Sequence, residues 1–383
     1  MKIKSIFTTK HILLSALLVP LLLFIIQCSK RETPIANGAA GTVTHTPNMM
    51  DTLAVKAFLT DYFLTKNSLL LKDSNIADTT KRYFRFTNNA DWSIREVKNI
   101  IEEKEVYKKS GISITKVQTK ITVDSLKRVD SSNVIAKIAE VTSFTTDAVS
   151  EQTNENIVTE ISNEHTMQLS TGANSNWIVT ETTTNSNTRT MPGGIGSGSA
   201  GGRGPNQQEP LKNFSGSAAA NFAIDNVHQH LFDYWEPTEP CYTFYNYLFS
   251  DCTNFISYAL KAGGWIEDNV WYSSSLCIGS SHAWAGADPF RLYAVSSGRT
   301  TSVSLSAIKS LQLGDILSCD WEGDGSFDHS VMVTNRDTYG NIYLTYHSNN
   351  TLNILYDAYV QRATQQHSRA PTILAFSINS MYR

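Results

Sequence analysis

The spacing of apolar residues changes from helical to alternating and back along this chain. Leu53, Val55, Phe58, Leu59, Tyr62 and Phe63 recur at intervals that lay one face of a helix on a core. A second helix is predicted from Ser93, with Glu96 three residues on as a capping-box partner, to Gly111 as its stop. Then Ile112, Ile114, Val117, Thr119, Ile121 and Val123 alternate as strand residues do, and Val134–Phe144, Ile157–Leu169 and Trp177–Thr183 supply further strands. Helices followed by antiparallel strands predict an α+β domain over 49–184. It shows no cluster of titratable residues along the sequence, and His165 reads as a satisfied structural histidine.

Residues 185–213 are Thr, Ser, Asn, Gly and Pro with almost no large apolar side chain, the composition of a flexible linker. Helical spacing returns at Asn221–Tyr234 through Phe222, Ile224, Val227 and Leu231. His228 and His230 fall there on different helix faces and are expected in solvent. A stretch rich in aromatics, Tyr242–Phe249, leads into Asp251-Cys252-Thr253-Asn254-Phe255-Ile256-Ser257-Tyr258-Ala259-Leu260, a helix that stops at Gly263-Gly264. Asp328-His329-Ser330-Val331-Met332-Val333 reads as a strand opening on a histidine. A turn-rich stretch, Arg336–Asn341, and a second strand to His347 complete a hairpin. A turn centred on Thr338 would set His329 and His347 opposite each other on one face.

The first 28 residues carry a different signal. Lys2, Lys4 and Lys10 precede an apolar run from Ile12 to Ile26 that ends at Gln27-Cys28-Ser29. The run is shorter than the roughly 20 residues of a spanning helix and reads as a secretory signal. Its end resembles a bacterial lipobox with Cys28 as the lipidated residue. Gln27 departs from that pattern, which has Gly, Ala or Ser there. Residues 29–48 then form a tether, and the expected location is the cell envelope, lipid-anchored in the outer membrane on its periplasmic or surface face. A net charge of −3 gives no reason to expect nucleic acid as a partner. The remaining cysteines, Cys241, Cys252, Cys277 and Cys319, fit two disulfides in an oxidising compartment, or a free Cys252 with one of the others unpaired. Their spacings match no zinc pattern, and no cofactor or metal is expected. Asp320, Glu322, Asp324 and Asp328 do not follow the calcium-loop register and read as an acidic surface loop. Asp315 reads as a turn residue.

A thiol at a helix start and an imidazole on a distant strand are the parts of a cysteine hydrolase. A thiol of ordinary pKa about 8.5 is a few per cent ionised at neutral pH. Lowering it by about 2.5 units takes roughly 3.4 kcal/mol. A helix dipole supplies about 0.3–1 and at most about 2 kcal/mol, so a histidine partner is required. His329 is the candidate base, and His347 the residue that would orient it.

The run Asp251–Gly264, with Leu313-Gly314-Asp315-Ile316, Asp320–Gly325, Asp328-His329-Ser330 and Tyr346-His347-Ser348, resembles the bacterial "putative amidase domain" family, which belongs with NlpC/P60-like enzymes of papain fold. The resemblance covers 214–383. It implies a cysteine-bearing helix packed on an antiparallel sheet and a peptide or amide substrate such as a peptidoglycan stem peptide. It also implies Cys252 as nucleophile, His329 as base and His347 as third member, with Asp251, Asn254 and Asp328 in support. Tyr258 stands where the family usually has Gln, and Ser281-His282-Ala283-Trp284 stands for its Ser-x-x-Trp motif. The preceding domain loosely resembles nuclear-transport-factor-like folds. The alternative is a non-catalytic surface-binding lipoprotein on the same scaffold.

Overall fold

A computed structural model describes residues 49–171, 176–185, 214–228, 251–273, 280–347 and 349–379. The signal segment with Cys28, the tether, the linker, His230, Cys241 and Cys277 lie outside these residues.

Three helices open the described chain: α1 (Met49–Asn67), α2 (Ile76–Thr87) and α3 (Asp91–Lys109). Helix α2 is absent from the sequence expectation because it buries only Tyr83 and Thr87, too sparse a stripe to register as a period. Asn75 caps it by accepting the Asp78 amide at 3.2 Å. The capping box at Ser93 does not form. Helix α3 begins two residues earlier, and the Ser93 hydroxyl, buried inside it, donates to Ala90 O at 2.7 Å. The predicted stop holds, since Gly111 takes φ +78° and the Ile112 amide reaches back to Tyr107 O at 2.9 Å.

Strands β1 (Ile114–Arg128), β2 (Asn133–Val149), β3 (Asn156–Thr171) and β4 (Trp177–Asn185) follow, all antiparallel. After the linker come α4 (Gly216–Asn226), α5 (Cys252–Ala262), α6 (His282–Ala285) and α7 (Ala287–Ser296). The chain ends in β5 (Thr300–Val303), β6 (Ile316–Asp320), β7 (His329–Arg336), β8 (Ile342–Tyr346), β9 (Thr351–Leu355), α8 (Tyr356–His367) and β10 (Thr372–Ile378). The molecule is mixed α+β around one large antiparallel sheet.

The two expected domains share that sheet. Its order is β1-β2-β3-β9-β8-β7-β6-β10-β5, and the junction is the pairing of Glu160 with Leu352 and Ile161 with Thr351. One apolar core runs across the junction, joining Ile112, Phe144 and Ile157 to Val331, Tyr343 and Leu355. Helix α3 meets α8 through an ion pair between Arg362 and Glu103 at 2.7 Å. Residues 46–383 therefore form one compact unit.

Alternation along β6 and β7 separates the faces of this sheet. Ile316 and Met332 pack with Phe255 and Ile256 of α5, whereas Leu317 and Val331 pack with Ala358 and Tyr359 of α8. The α4 side is drawn tight at Gly314, which has φ +80° and lies where an added Cβ would meet the Cα of Gly216 at 2.8 Å. Gly314→Ala is expected to destabilise by about 1–3 kcal/mol. A urea titration would show this as a lower midpoint with unchanged slope.

The amino-terminal part holds a buried polar cluster that no local sequence pattern announced. Glu140 on β2 accepts from His165 Nε2 at 2.8 Å and Asn67 Nδ2 at 2.7 Å, with Lys66 Nζ at 3.7 Å. Lys66 also lies 3.6 Å from Glu96, which takes hydrogen bonds from the hydroxyls of Tyr62 and Tyr83. Burial alone would push the Glu140 carboxyl up, but the charge of Lys66 and the donors His165 and Asn67 outweigh it and hold the group well below the carboxylate range. His165 is buried and paired, as a structural histidine should be.

Candidate active site

Helix α5 has its amphipathic face on the sheet because Phe255, Ile256, Ala259 and Leu260 fall on one stripe. It is pinned by a hydroxyl pair, Thr253 Oγ1 to Ser330 Oγ on β7 at 3.0 Å. Cys252 is its first residue, a buried free cysteine. The Cys252 Sγ lies 3.8 Å from the carbonyl of Asp328 and 3.7 Å from Thr253 Oγ1. The thiol thus rests against the backbone where the histidine strand begins.

Asp251 precedes the helix without capping it. Its carboxylate instead meets His347 Nδ1 at 2.9 Å, while His347 Nε2 meets the carbonyl of Val227 at 3.1 Å. The ring stacks on Phe255 at 4.1 Å with planes 9° apart. A carboxylate and a carbonyl are both acceptors, so only the imidazolium, with two N–H donors, satisfies both contacts. His347 is therefore a buried clamp joining the end of β8, the head of α5 and the end of α4.

His329 lies differently from expectation. It pairs with Cys319 across β6 and β7, on the face that carries Val331. Its ring stacks on Trp321 at 4.7 Å, meets Tyr346 edge-on at 5.0 Å and lies 6.4 Å from Tyr359 of α8. Neither ring nitrogen has a hydrogen-bond partner. Burial pushes its pKa down to about 3, against a weaker upward pull from Asp251. In this arrangement the imidazole is neutral and makes no bond to the Cys252 thiol.

The expected partnership of His329 with His347 is corrected by the register. The turn centres on Tyr339, since Arg336 pairs with Ile342, and one extra residue, Thr334, is bulged between Val333 and Asn335. An even offset would have kept the two histidines on one face. The bulge makes it odd, and a one-residue slip exchanges the faces. Met332 pairs with Thr345, so Ser330, not His329, comes opposite His347.

The thiol paired in register with His329 is Cys319. Burial pushes its pKa up to about 12, and its sulfur accepts from the Tyr359 hydroxyl at 3.1 Å, so it is an inert core thiol. Asn254 serves the fold, its Oδ1 accepting from Trp284 Nε1 at 2.5 Å. Ser281 caps α6 by accepting the Trp284 amide at 3.1 Å, and Tyr258 meets the Trp284 ring edge-on at 5.0 Å. Asp315 is buried and accepts the amides of Gln312 and Ile378 at 2.7 and 2.8 Å, a turn residue as expected.

The acidic loop folds on itself. Asp320 accepts the amides of Gly323 and Gly325 at 2.5 and 3.0 Å, and Asp328 accepts that of Trp321 at 3.0 Å. Burial, opposed by the Trp321 amide and reinforced by Glu322, Asp320 and Asp324, pushes Asp328 up to about 6. A carboxyl raised in the folded state favours folding below its unfolded pKa, and this contribution fades as pH rises through about 6. Asp328→Asn should therefore melt higher than the parent at pH 7, and the gap should close near pH 4. Paired thermal melts at the two pH values check this.

Residues 221–370 match a family model described as "Putative amidase domain", which supports an amidase-like family for this segment. The "Uncharacterized protein YjcM" of Bacillus subtilis (strain 168) is 31% identical over 155 residues, which cover 38% of this chain and 33% of that protein. The "Uncharacterized protein YhbB" of the same organism is 30% identical over 124 residues, covering 28% of this chain and 36% of the relative. The chain thus spans about a third of the length of these curated relatives. A solved structure, the intermembrane space region of chloroplast protein ARC6, is similar at 15% identity and a TM-score of 0.26, covering 36% of this chain and 98% of that one. A likeness at that level carries no argument.

Proposed function

We propose that the protein is an exported cysteine amidase or peptidase in which Cys252 attacks an amide carbonyl and His329 handles the protons. The observation that carries this reading is the free Cys252 thiol at the head of α5, 3.8 Å from the Asp328 carbonyl and so beside the backbone of His329. In the reacting state His329 leaves its aromatic stack and takes the thiol proton. No hydrogen bond is broken, because both ring nitrogens are unengaged. The lost ring contacts amount to about 0.5–1.5 kcal/mol per pair, less than the roughly 3.4 kcal/mol that a 2.5-unit drop of the thiol pKa represents. Resting geometry in an unliganded hydrolase is often looser than in the substrate complex.

The sulfur then forms a bond to the carbonyl carbon, with the backbone amide of Cys252 as one oxyanion donor. His329 returns its proton to the leaving amine as the C–N bond breaks. Water, deprotonated by the same ring, cleaves the thioester and releases the acid. The Asp251–His347 pair holds the helix head in place and adds positive charge near the sulfur. The substrate class we assign is a peptide amide of the cell-wall stem-peptide kind. The enzyme would work from the cell envelope on a lipid carried by Cys28.

The burial of the thiol and the caged imidazole favour a second reading, a non-catalytic binding protein on an amidase-like scaffold. Incubating the full chain with a peptidoglycan digest and following the fragments by mass spectrometry separates the two. The amidase releases new amine and carboxyl termini, and a His329→Gln variant loses about 10²–10⁴-fold of that rate. A binder retains fragments without cleaving them.

A further inference from the structure

The clamp at the head of α5 continues into the amino-terminal sheet. His228, just past α4, was expected in solvent, but its Nε2 meets Glu160 Oε1 of β3 at 2.9 Å. Glu160 is also the residue whose pairing with Leu352 joins β3 to β9. The neighbouring carbonyl, that of Val227, is the acceptor for His347 Nε2, and His347 binds Asp251 next to Cys252. Two carboxylates and two imidazoles therefore alternate from the sheet junction to the thiol: Glu160, His228, His347, Asp251.

We propose that Glu160 and His228 are positioning residues through which the amino-terminal sheet sets the charge at the head of the cysteine helix. The charged groups facing His228 are Glu160 from β3 and His347 from the end of β8, whose own charge is shared with Asp251. Burial lowers the His228 pKa, Glu160 raises it and His347 lowers it. The carboxylate of Glu160 keeps the His228 ring oriented as a donor and offsets the charge of His347. Without it, the imidazolium beside Asp251 is less favoured, and so is a thiolate at Cys252. The link to catalysis rests on the assignment of Cys252 as nucleophile, whereas the charge coupling does not.

The test is a proton-NMR titration of the histidine rings in the full chain, alongside the rate of Cys252 alkylation by iodoacetamide at pH 7. The variants are Glu160→Gln and His228→Gln, each first shown to melt cooperatively. In Glu160→Gln the His228 midpoint should fall by about 1 pH unit and the His347 curve by about 0.5 unit, a threefold change in equilibrium. Alkylation should slow by a similar factor. In His228→Gln the His347 curve and the alkylation rate should move in the same direction. If His228 alone responds, with His347 and Cys252 unchanged, the pair is a local structural contact and the proposal is overturned. If His347 shifts while Cys252 resists alkylation in the parent as well, the charge coupling stands and the nucleophile assignment falls.

Discussion

Cys252→Ala should abolish amide hydrolysis, with a loss of at least about 10³-fold in kcat. The mechanism has one atom that forms a covalent bond to the substrate, and Ala has nothing in its place. What survives is the backbone amide at the head of α5 and the binding surface, which in comparable hydrolases retain only a small part of the rate enhancement. Cys252→Ser should be nearly as inactive, because a hydroxyl at this site lacks the ionisation that an imidazole can induce in a thiol. Neither change should unfold the protein, since α5 is held by Phe255, Ile256, Ala259 and Leu260 and by the Thr253–Ser330 contact. Steady-state kinetics on a peptide amide released from cell-wall material, with melting curves of both variants, provides the check.

The largest stability effect is expected far from the thiol. Glu140→Gln should destabilise the protein by about 3–5 kcal/mol, the usual consequence of removing one member of a buried ion pair. Lys66 would keep Glu96 at 3.6 Å, but it would lose the carboxylate at 3.7 Å, and His165 would lose its acceptor. The sign with pH follows from the depressed carboxyl. The stabilisation is present above the unfolded value of 4.5 and is lost as pH falls below it. Lys66→Met should destabilise for the same reason, and the double variant Lys66→Met/Glu140→Gln should lose less than the sum of the singles. Urea titrations at pH 7 of the parent and the three variants measure the coupling.

Much of the site was legible from local pattern. The helical stripe behind Cys252, the strand from His329 and the stop at Gly111 are each written within a few residues, where period and turn chemistry act. Helix α2 was not, because a helix that buries two side chains shows little period. The facing of His329 and His347 was lost to one bulged residue, Thr334, which carries no distinctive composition. The Glu140 cluster draws Lys66, Glu96 and His165 from α1, α3 and β3, so only the packed chain brings them together. The fusion of two domains into one sheet rests on a short edge pairing at Glu160 and Ile161, invisible beside the long Gly- and Ser-rich linker. His228 looked solvated for the same reason, since its partner belongs to the other half of the chain.

The claim beneath all of this is that the thiol of Cys252 becomes a nucleophile with help from His329. The most direct measurement is the pH dependence of Cys252 alkylation in the native full-length protein, with and without the His329→Gln substitution. The account predicts that Cys252 reacts below pH 7, well under the ordinary thiol pKa of about 8.5, and that the substitution moves the curve up by at least about 1 unit. A Cys252 that stays unreactive until the protein unfolds, or that reacts identically without the imidazole, would contradict it.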